Sequence, residues 1–261
     1  PIILICIASV LILVKLIANR LKISSKMSYL IAIGTSVCGA TAIVATAPVV
    51  QARKTEVAYA IANITLFGIL AMLLYPYFAN YYFENDPILT GLFLGTSIHE
   101  TSQVAAAGLI YDQQFNSPET LDVATVTKLI RNTFLVILIP LFALLYNRGQ
   151  NHGSKYSLSG IFPIFVIGFI GMIFLRNIGD QVFLSNGDST KQWIFFIDVI
   201  QILATTFLTM AMAAVGLSIN LSELRDMGYK PFVVGFISAV TVGIVCIISI
   251  HILNTYFNFF N

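Results

Sequence analysis

Long apolar runs separated by short polar connections dominate this sequence. Runs of roughly 20 residues match the length at which an α-helix crosses a bilayer, and none shows the polar–apolar alternation of a membrane β-strand. The apolar runs cover residues 1–18, 29–50, 56–79, 87–111, 117–147, 157–176, 193–219 and 230–253. We therefore predict an all-α, polytopic transmembrane helix bundle. Residues 1–261 are expected to form a single transmembrane domain, truncated at the N-terminus because the chain begins inside an apolar run.

Glycines interrupt two of these runs, at 29–50 and 87–111. The residues that flank the first run on both sides are basic: Arg20, Lys22, Lys26, Arg53 and Lys54. The residues that flank the second run on both sides are acidic: Glu84, Asp86, Asp112 and Glu119. Simple crossings would put the two flanks of each run on opposite sides, which conflicts with the positive-inside rule. We predict two broken helices, with re-entrant hairpins and full crossings as open alternatives.

Two of the remaining runs carry signals for helix shape. Ser117-Pro118-Glu119 is a start signal for a helix that should reach residue 147 with a kink near Pro140. The run 193–219 exceeds the thickness of a bilayer, so it should be tilted, or interrupted near Gly216. The bias of Lys and Arg predicts that loops 19–28, 148–156 and 220–230 are cytoplasmic.

The composition supports a membrane protein and excludes a soluble enzyme domain. Hydrophobic residues make up 57% of the chain and charged residues 10%, with a mean hydropathy of +0.88, whereas soluble domains carry about 25% charged residues. A net charge of +2 without a basic block gives no reason to expect a nucleic-acid partner. The three cysteines lie in apolar runs without metal-type spacing, and we expect them to be buried, with no cofactor.

A repeated motif occurs in the two broken segments. Gly34-Thr35-Ser36 and Gly95-Thr96-Ser97 each precede a stretch rich in small residues. Glycine lets the backbone leave helical geometry, and a half-helix that begins inside the membrane points its N–H groups at a ligand. We predict that these six residues bind substrate. Close helix packing through small residues is the structural alternative.

Ionisable side chains at membrane depth are costly and usually functional. Lys128, Arg131 and Asn132 share a helix face and are candidates for binding an anion, although the two cations could instead reach toward the interface. His99 and Glu100 lie near the middle of their segment and could carry a coupling proton, or form a structural pair. Asp198 is a third candidate for coupling, with an interfacial position as its alternative.

Four separated motifs resemble a family of bacterial inner-membrane proteins named for proposed sulfate export. They are GTSVCGATAI at 34–43, GTSIHETSQVAAAG at 95–108, TKLIRN at 127–132 and MAAVGLSINLSELRDMGYKPF at 212–232. That family is grouped with transporters of the bile-acid/sodium symporter and cation/proton antiporter type. The resemblance implies inverted five-helix repeats, with crossed discontinuous helices at 34–41 and 95–103.

Three functions are compatible with these features. The first is a secondary transporter of a small inorganic or organic anion, with sulfate or a related sulfur oxyanion as candidates and a coupling proton or cation as partner. The second is a cation/proton antiporter that uses Glu100 and Asp198, and the third is a membrane scaffold that transports nothing. We expect no enzymatic activity and a multi-pass location in the lipid bilayer of the bacterial inner (plasma) membrane. A homo-oligomer is an open alternative.

Overall fold

The computed structural model describes residues 1–149, 164–184, 190–217 and 228–257. These parts of the chain are helical, which confirms the predicted all-α fold. The helices are α1 (Ile2–Leu21), α2 (Ser25–Ser36), α3 (Ala40–Thr46), α4 (Lys54–Tyr82), α5 (Pro87–Ser97), α6 (Thr101–Phe115), α7 (Pro118–Thr133), α8 (Leu135–Gly149), α9 (Ile164–Leu184), α10 (Thr190–Leu217) and α11 (Lys230–Phe257). The chain divides into a first unit, with α1–α8 and α11, and a second unit, with α9 and α10.

Within the described residues, four helical stretches are long and apolar enough to cross a membrane, by length and composition. They are Ile2–Leu21, Lys54–Tyr82, Pro118–Tyr146 and Lys230–Thr255. Helix α4 carries a stripe of exposed large apolar residues that recur at helical spacing, among them Leu66, Ile69, Leu70, Leu73, Leu74, Tyr77 and Tyr81. Such a stripe is unfavourable in water and favourable against acyl chains.

Helices α2 and α3 form a hairpin, which we call the first hairpin. The chain leaves α2 after Ser36 and enters α3 at Ala40 through Gly39, whose φ of +68° suits a residue without Cβ. The two ends of the hairpin lie side by side, since Lys26 Nζ donates to the carbonyl of Gln51 at 2.6 Å. The segment therefore enters and leaves at the same end of the unit.

Helices α5 and α6 form a second hairpin. Gly91 of α5 and Gly108 of α6 both pack against the start of α7, at Thr120–Val123 and Leu121 respectively. The two halves thus run in opposite directions along α7. The open end of the second hairpin lies at the C-terminal end of α4, where the Tyr111 hydroxyl donates to Asn80 at 3.1 Å.

The two hairpins open at opposite ends of α4 and point toward each other. The first hairpin opens beside the N-terminal end of α4, where the Ser24 hydroxyl donates to Glu56 at 2.9 Å. This geometry accounts for the charge pattern, because both basic flanks of the first hairpin lie at one end and both acidic flanks of the second lie at the other. The family resemblance implies crossed helices. Each of the two segments is instead a hairpin, whose second half returns to the end at which the first half began.

The predicted kink in the helix after Ser117 was misplaced. The helix is interrupted at Phe134, where the backbone N–H bonds to Arg131 in a tighter turn, and Pro140 lies inside α8. Pro118 occupies the first helical position as predicted. Ser117 stands at the N-cap, but its hydroxyl bonds to the Thr120 hydroxyl rather than to a backbone N–H.

Helix α10 runs to Leu217, where this described range ends, so the predicted tilt, or interruption near Gly216, stays a prediction. In the second unit, Asp180 of α9 accepts hydrogen bonds from Arg176 at 2.8 Å and from the Trp193 indole of α10 at 2.7 Å. Residues 157–163, and most of the basic loops 148–156 and 220–230, lie outside the described residues.

Candidate functional site

The candidate site is the place where the tips of the two hairpins meet, which we call the hairpin junction. It comprises residues 35–40 of the first hairpin, residues 96–101 of the second, and the side chains of Lys128 and Arg131. Helix α7 can run close to the second hairpin because Gly95 has no side chain. A Cβ there would lie 2.7 Å from Cβ of Thr127, so α7 would have to move away.

Lys128 is fully buried and links both tips. Its ammonium donates to the carbonyls of Val37, at 2.9 Å, and Ile98, at 2.8 Å, and also to the carbonyl of His99. An ammonium has three N–H donors, so all of them are used. Lys128 therefore stabilises the ends of α2 and α5, whose last carbonyls have no partner within their own helices.

Arg131 lies one turn further along α7 and is 1% exposed. Its Nε donates to the carbonyl of Ser36 at 2.8 Å, and its terminal nitrogens donate to the carbonyls of Thr35, Thr96 and Ile98. A cation near a helix C-terminus is favourable because that end carries about half a negative charge. The two predicted cations thus share a face as expected and bond to backbone oxygens of both hairpins.

The repeated motif lies where one half-helix ends, and this corrects our expectation that it begins one. Thr35 and Ser36 form the last turn of α2, and Thr96 and Ser97 the last turn of α5. Gly34 and Gly95 are still helical and serve close packing, while the break falls three to five residues later. The motif therefore presents carbonyls to the junction, and its role in binding substrate stays a prediction.

Glu100 and Gly39 occupy equivalent positions in the two motifs and lie in contact. The Glu100 carboxylate accepts the backbone N–H of Ala40 at 3.2 Å, which places a negative group at the start of α3. Its side chain is half-buried, whereas His99 is 1% exposed and its Nδ1 has no hydrogen-bond partner among the described residues. The two predicted coupling residues therefore have different surroundings.

Other polar groups at the junction also lack partners. The hydroxyls of Thr35 and Ser36 and the Oδ1 atom of Asn132 are buried with no hydrogen bond to any described residue. The Asn132 amide nitrogen donates to the Thr101 hydroxyl at 3.2 Å, so Asn132 faces the start of α6. Each unsatisfied buried polar atom costs about 1–3 kcal/mol, and a bound ligand could supply the missing partners.

Asp198 lies on α10 of the second unit and is exposed. It lines a groove with Gln201, Ile202 and Thr206. Its predicted part in coupling stays a prediction. A separate cavity of ≈ 390 Å³ lies in the first unit, among residues of α1, α2 and α8, and Lys15 is one of the residues that line it.

Sequence reasoning missed the backbone atoms that Lys128 and Arg131 bond. Val37 and Ile98 are apolar residues whose side chains give no sign that their carbonyls face a buried cation. The thiol of Cys246, on α11, lies beside Thr96 and Ser97, and this contact was also missed. The one available signal was Gly39, since glycine within a broken apolar run can mark a positive φ.

Comparison with known proteins identifies the family of the chain. The model of the family described as conserved hypothetical protein 698 matches residues 1–235. The chain belongs to this family of UPF0324 membrane proteins. It is 35% identical to the UPF0324 membrane protein of Fusobacterium nucleatum, covering 96% of this chain and 75% of that one. It is 36% identical to a relative from Streptococcus agalactiae, covering 90% of this chain and 67% of that one.

A UPF0324 membrane protein of Streptococcus pneumoniae is 35% identical, with 91% of this chain and 68% of that one covered. No solved structure matches the chain. The relatives are named as membrane proteins, and their names state no substrate. The family and the helical spans together establish a multi-pass membrane protein.

Proposed function

We propose that this protein is a secondary transporter that moves a small anion through the hairpin junction. The observation that carries this proposal is the pair of buried cations, Lys128 and Arg131, held between two hairpins that enter from opposite ends. Many secondary transporters form their sites where broken helices of inverted repeats meet near the middle of the membrane. The two GTS motifs, at equivalent places in the hairpins, support such a repeat.

The charges at the junction favour an anion. Lys128 and Arg131 contribute two positive charges, and the C-terminal ends of α2 and α5 together offset about one of them. Within the described residues, the ion pairs closer than 4.0 Å join Arg53 to Glu56 and Arg176 to Asp180, so neither junction cation has such a partner. At least one positive charge therefore remains before the positive N-terminal ends of α3 and α6 are added, to be balanced by Glu100 or by a bound anion.

The start of α6 is the place where we expect the anion to bind. Helix α6 has no side-chain cap, so its first backbone N–H groups are available beside Thr101 and Asn132. A helix N-terminus attracts anions through these donors and its positive end. Sulfate or a related sulfur oxyanion is the substrate class that the family resemblance suggests.

Glu100 gives this site a route to proton coupling. Ionised Glu100 balances the remaining positive charge, so an anion binds more easily when Glu100 takes up a proton. The charged and titratable groups that interact with its carboxylate are Lys128 on α7 and Cys38 at the first tip, and His99 precedes it in the chain. We therefore expect anion and proton to move together, and the bacterial inner membrane supplies the proton gradient for this role.

The alternative of a cation/proton antiporter is less well supported. In such a protein, backbone carbonyls at half-helix C-termini would coordinate the transported cation. Here those carbonyls already bond Lys128 and Arg131.

Purified protein in liposomes with an entrapped pH dye tests the proposal across a panel of sulfate, sulfite, thiosulfate and organic sulfonates at two pH values. We expect at least one anion to enter with protons, and faster when the outer solution is more acidic. Glu100→Gln should move the anion without the accompanying proton flux. Glu119→Gln, the same change at an exposed position at the start of α7, should behave like the unmodified protein.

Absence of flux for every anion in folded protein would contradict the transporter role. A Glu100→Gln variant that still moves as many protons per anion would contradict only the coupling role of Glu100.

A further inference from the structure

Three backbone oxygens converge on the Lys128 ammonium from two hairpins. The Val37 carbonyl, after the last residue of α2, lies 2.9 Å from Nζ, and the Ile98 carbonyl, after the last residue of α5, lies 2.8 Å away. The His99 carbonyl completes the set. We call these three oxygens the carbonyl cage.

The cage has the chemistry of a site for a monovalent cation. Carbonyls at the C-terminal ends of interrupted helices coordinate the coupling cation in many transporters. The Lys ammonium is a compact point charge, close in size to a potassium or ammonium ion. Since Lys128 is 0% exposed and all its donors are used, it fills the cage completely.

We propose that the carbonyl cage is a monovalent-cation site that the protein's own Lys128 ammonium occupies, so that removing this side chain allows a potassium or ammonium ion to bind there. The protein itself then needs no alkali cation to hold the two hairpin tips together. The consequence for transport, that the coupling ion is a proton and not an alkali cation, rests on the proposed function.

Charge balance at the junction supports this substitution. Lys128→Ala removes one positive charge and leaves the carbonyls of Val37 and His99 without a donor, in a place where water is largely excluded. The Ile98 carbonyl keeps its bond from Arg131 but loses the one from Lys128. A single monovalent cation restores both the charge and the coordination. Arg131 still donates to the carbonyls of Thr35, Ser36 and Thr96. One of the two side chains that link the tips therefore remains in place.

The test is the melting temperature of Lys128→Ala in detergent, in potassium, ammonium, sodium and N-methylglucamine chlorides at equal ionic strength. We expect potassium or ammonium to raise it saturably, by about 3 °C or more over N-methylglucamine, and to leave the unmodified protein unchanged. Lys26→Ala is the matched control, because Lys26 is also bonded to a carbonyl but lies outside the junction. It should show no response.

Lys128→Met is a second variant that fills the same space without a charge, and it should fold without responding to any cation. A Lys128→Ala chain that melts equally in all four salts, or is unfolded in all of them, would overturn the proposal. So would a cation response of the unmodified protein. The measurement needs no transport, so a responsive Lys128→Ala variant together with anion flux absent from the unmodified protein would refute the proposed function and leave the cation site standing.

Discussion

At the scale of single residues, the buried cations act first on the backbone. Arg131 bonds four carbonyls, two at the end of α2 and two at the end of α5 or just after it. Burying an unpaired charge costs several kcal/mol, and the bonds to these carbonyls offset that cost. Arg131 therefore holds the two tips together.

Arg131→Ala should lower the free energy of unfolding by about 3–5 kcal/mol, because it leaves several buried carbonyls without donors. Thermal unfolding in detergent measures this loss. Leu129→Ala, on the exposed face of the same helix, is the control and should change stability much less. Equal melting temperatures for Arg131→Ala and the unmodified protein would show that the junction is not held by this side chain.

Gly39→Ala should destabilise the protein by about 1–2 kcal/mol. Its φ of +68° is unfavourable for a residue with Cβ, and that Cβ would lie 3.3 Å from a Glu100 carboxylate oxygen. Gly171→Ala, at a helical position with nothing within 4 Å of the added Cβ, should be neutral or slightly stabilising. Melting temperatures measure the difference between the two variants. Equal melting temperatures for Gly39→Ala and Gly171→Ala would contradict the expected strain at position 39.

Residue identity predicted part of this site. The spacing of Lys128 and Arg131 placed them on one helix face, and glycine clusters located both broken helices. What the cations bond could not be predicted, since backbone oxygens of Val37 or Ile98 leave no mark in the sequence. The role of the glycine in each GTS motif was also ambiguous. A glycine can mark either a break in a helix or a close contact between helices, and the sequence does not distinguish the two.

At the scale of helices, charge patterning was more informative than hydropathy. Hydropathy alone showed apolar runs at 29–50 and 87–111 and could not separate a hairpin from a crossing. The like charges on both flanks of each run conflicted with crossings, and the hairpins remove that conflict. The interruption at Phe134 had no comparable signal, since Pro140 was the more obvious helix breaker and is accommodated inside α8.

Sided labelling of single cysteines tests the two hairpins in membrane vesicles. Lys26→Cys and Gln51→Cys, at the open end of the first hairpin, should react with a membrane-impermeant maleimide from one side only. Ile88→Cys and Asn116→Cys, at the open end of the second, should react only from the other side. If Lys26→Cys and Gln51→Cys label from opposite sides, the first segment crosses the membrane and the hairpin assignment fails.

At the scale of the whole molecule, one helix joins two elements that enter from opposite ends. Helix α7 supplies both cations, and each of them bonds backbone of both hairpins. In the proposed transport, the junction would open to one side of the membrane and then to the other. Because α7 bonds both tips, these three parts would move as one body relative to other helices. The sequence predicted a membrane protein family and the helical bundle, but this three-part junction depends on long-range contacts that only the fold reveals.

The tips of the two hairpins meet at Gly39 and Glu100, and a disulfide tests this contact most directly. A Cβ at position 39 would lie 3.6 Å from Cβ of Glu100, within the usual range for a disulfide. In a background with Ala in place of Cys6, Cys38 and Cys246, Gly39→Cys combined with Glu100→Cys should cross-link under mild oxidation, whereas neither single variant should. Folded double variant that stays reduced would show that the two hairpins do not meet.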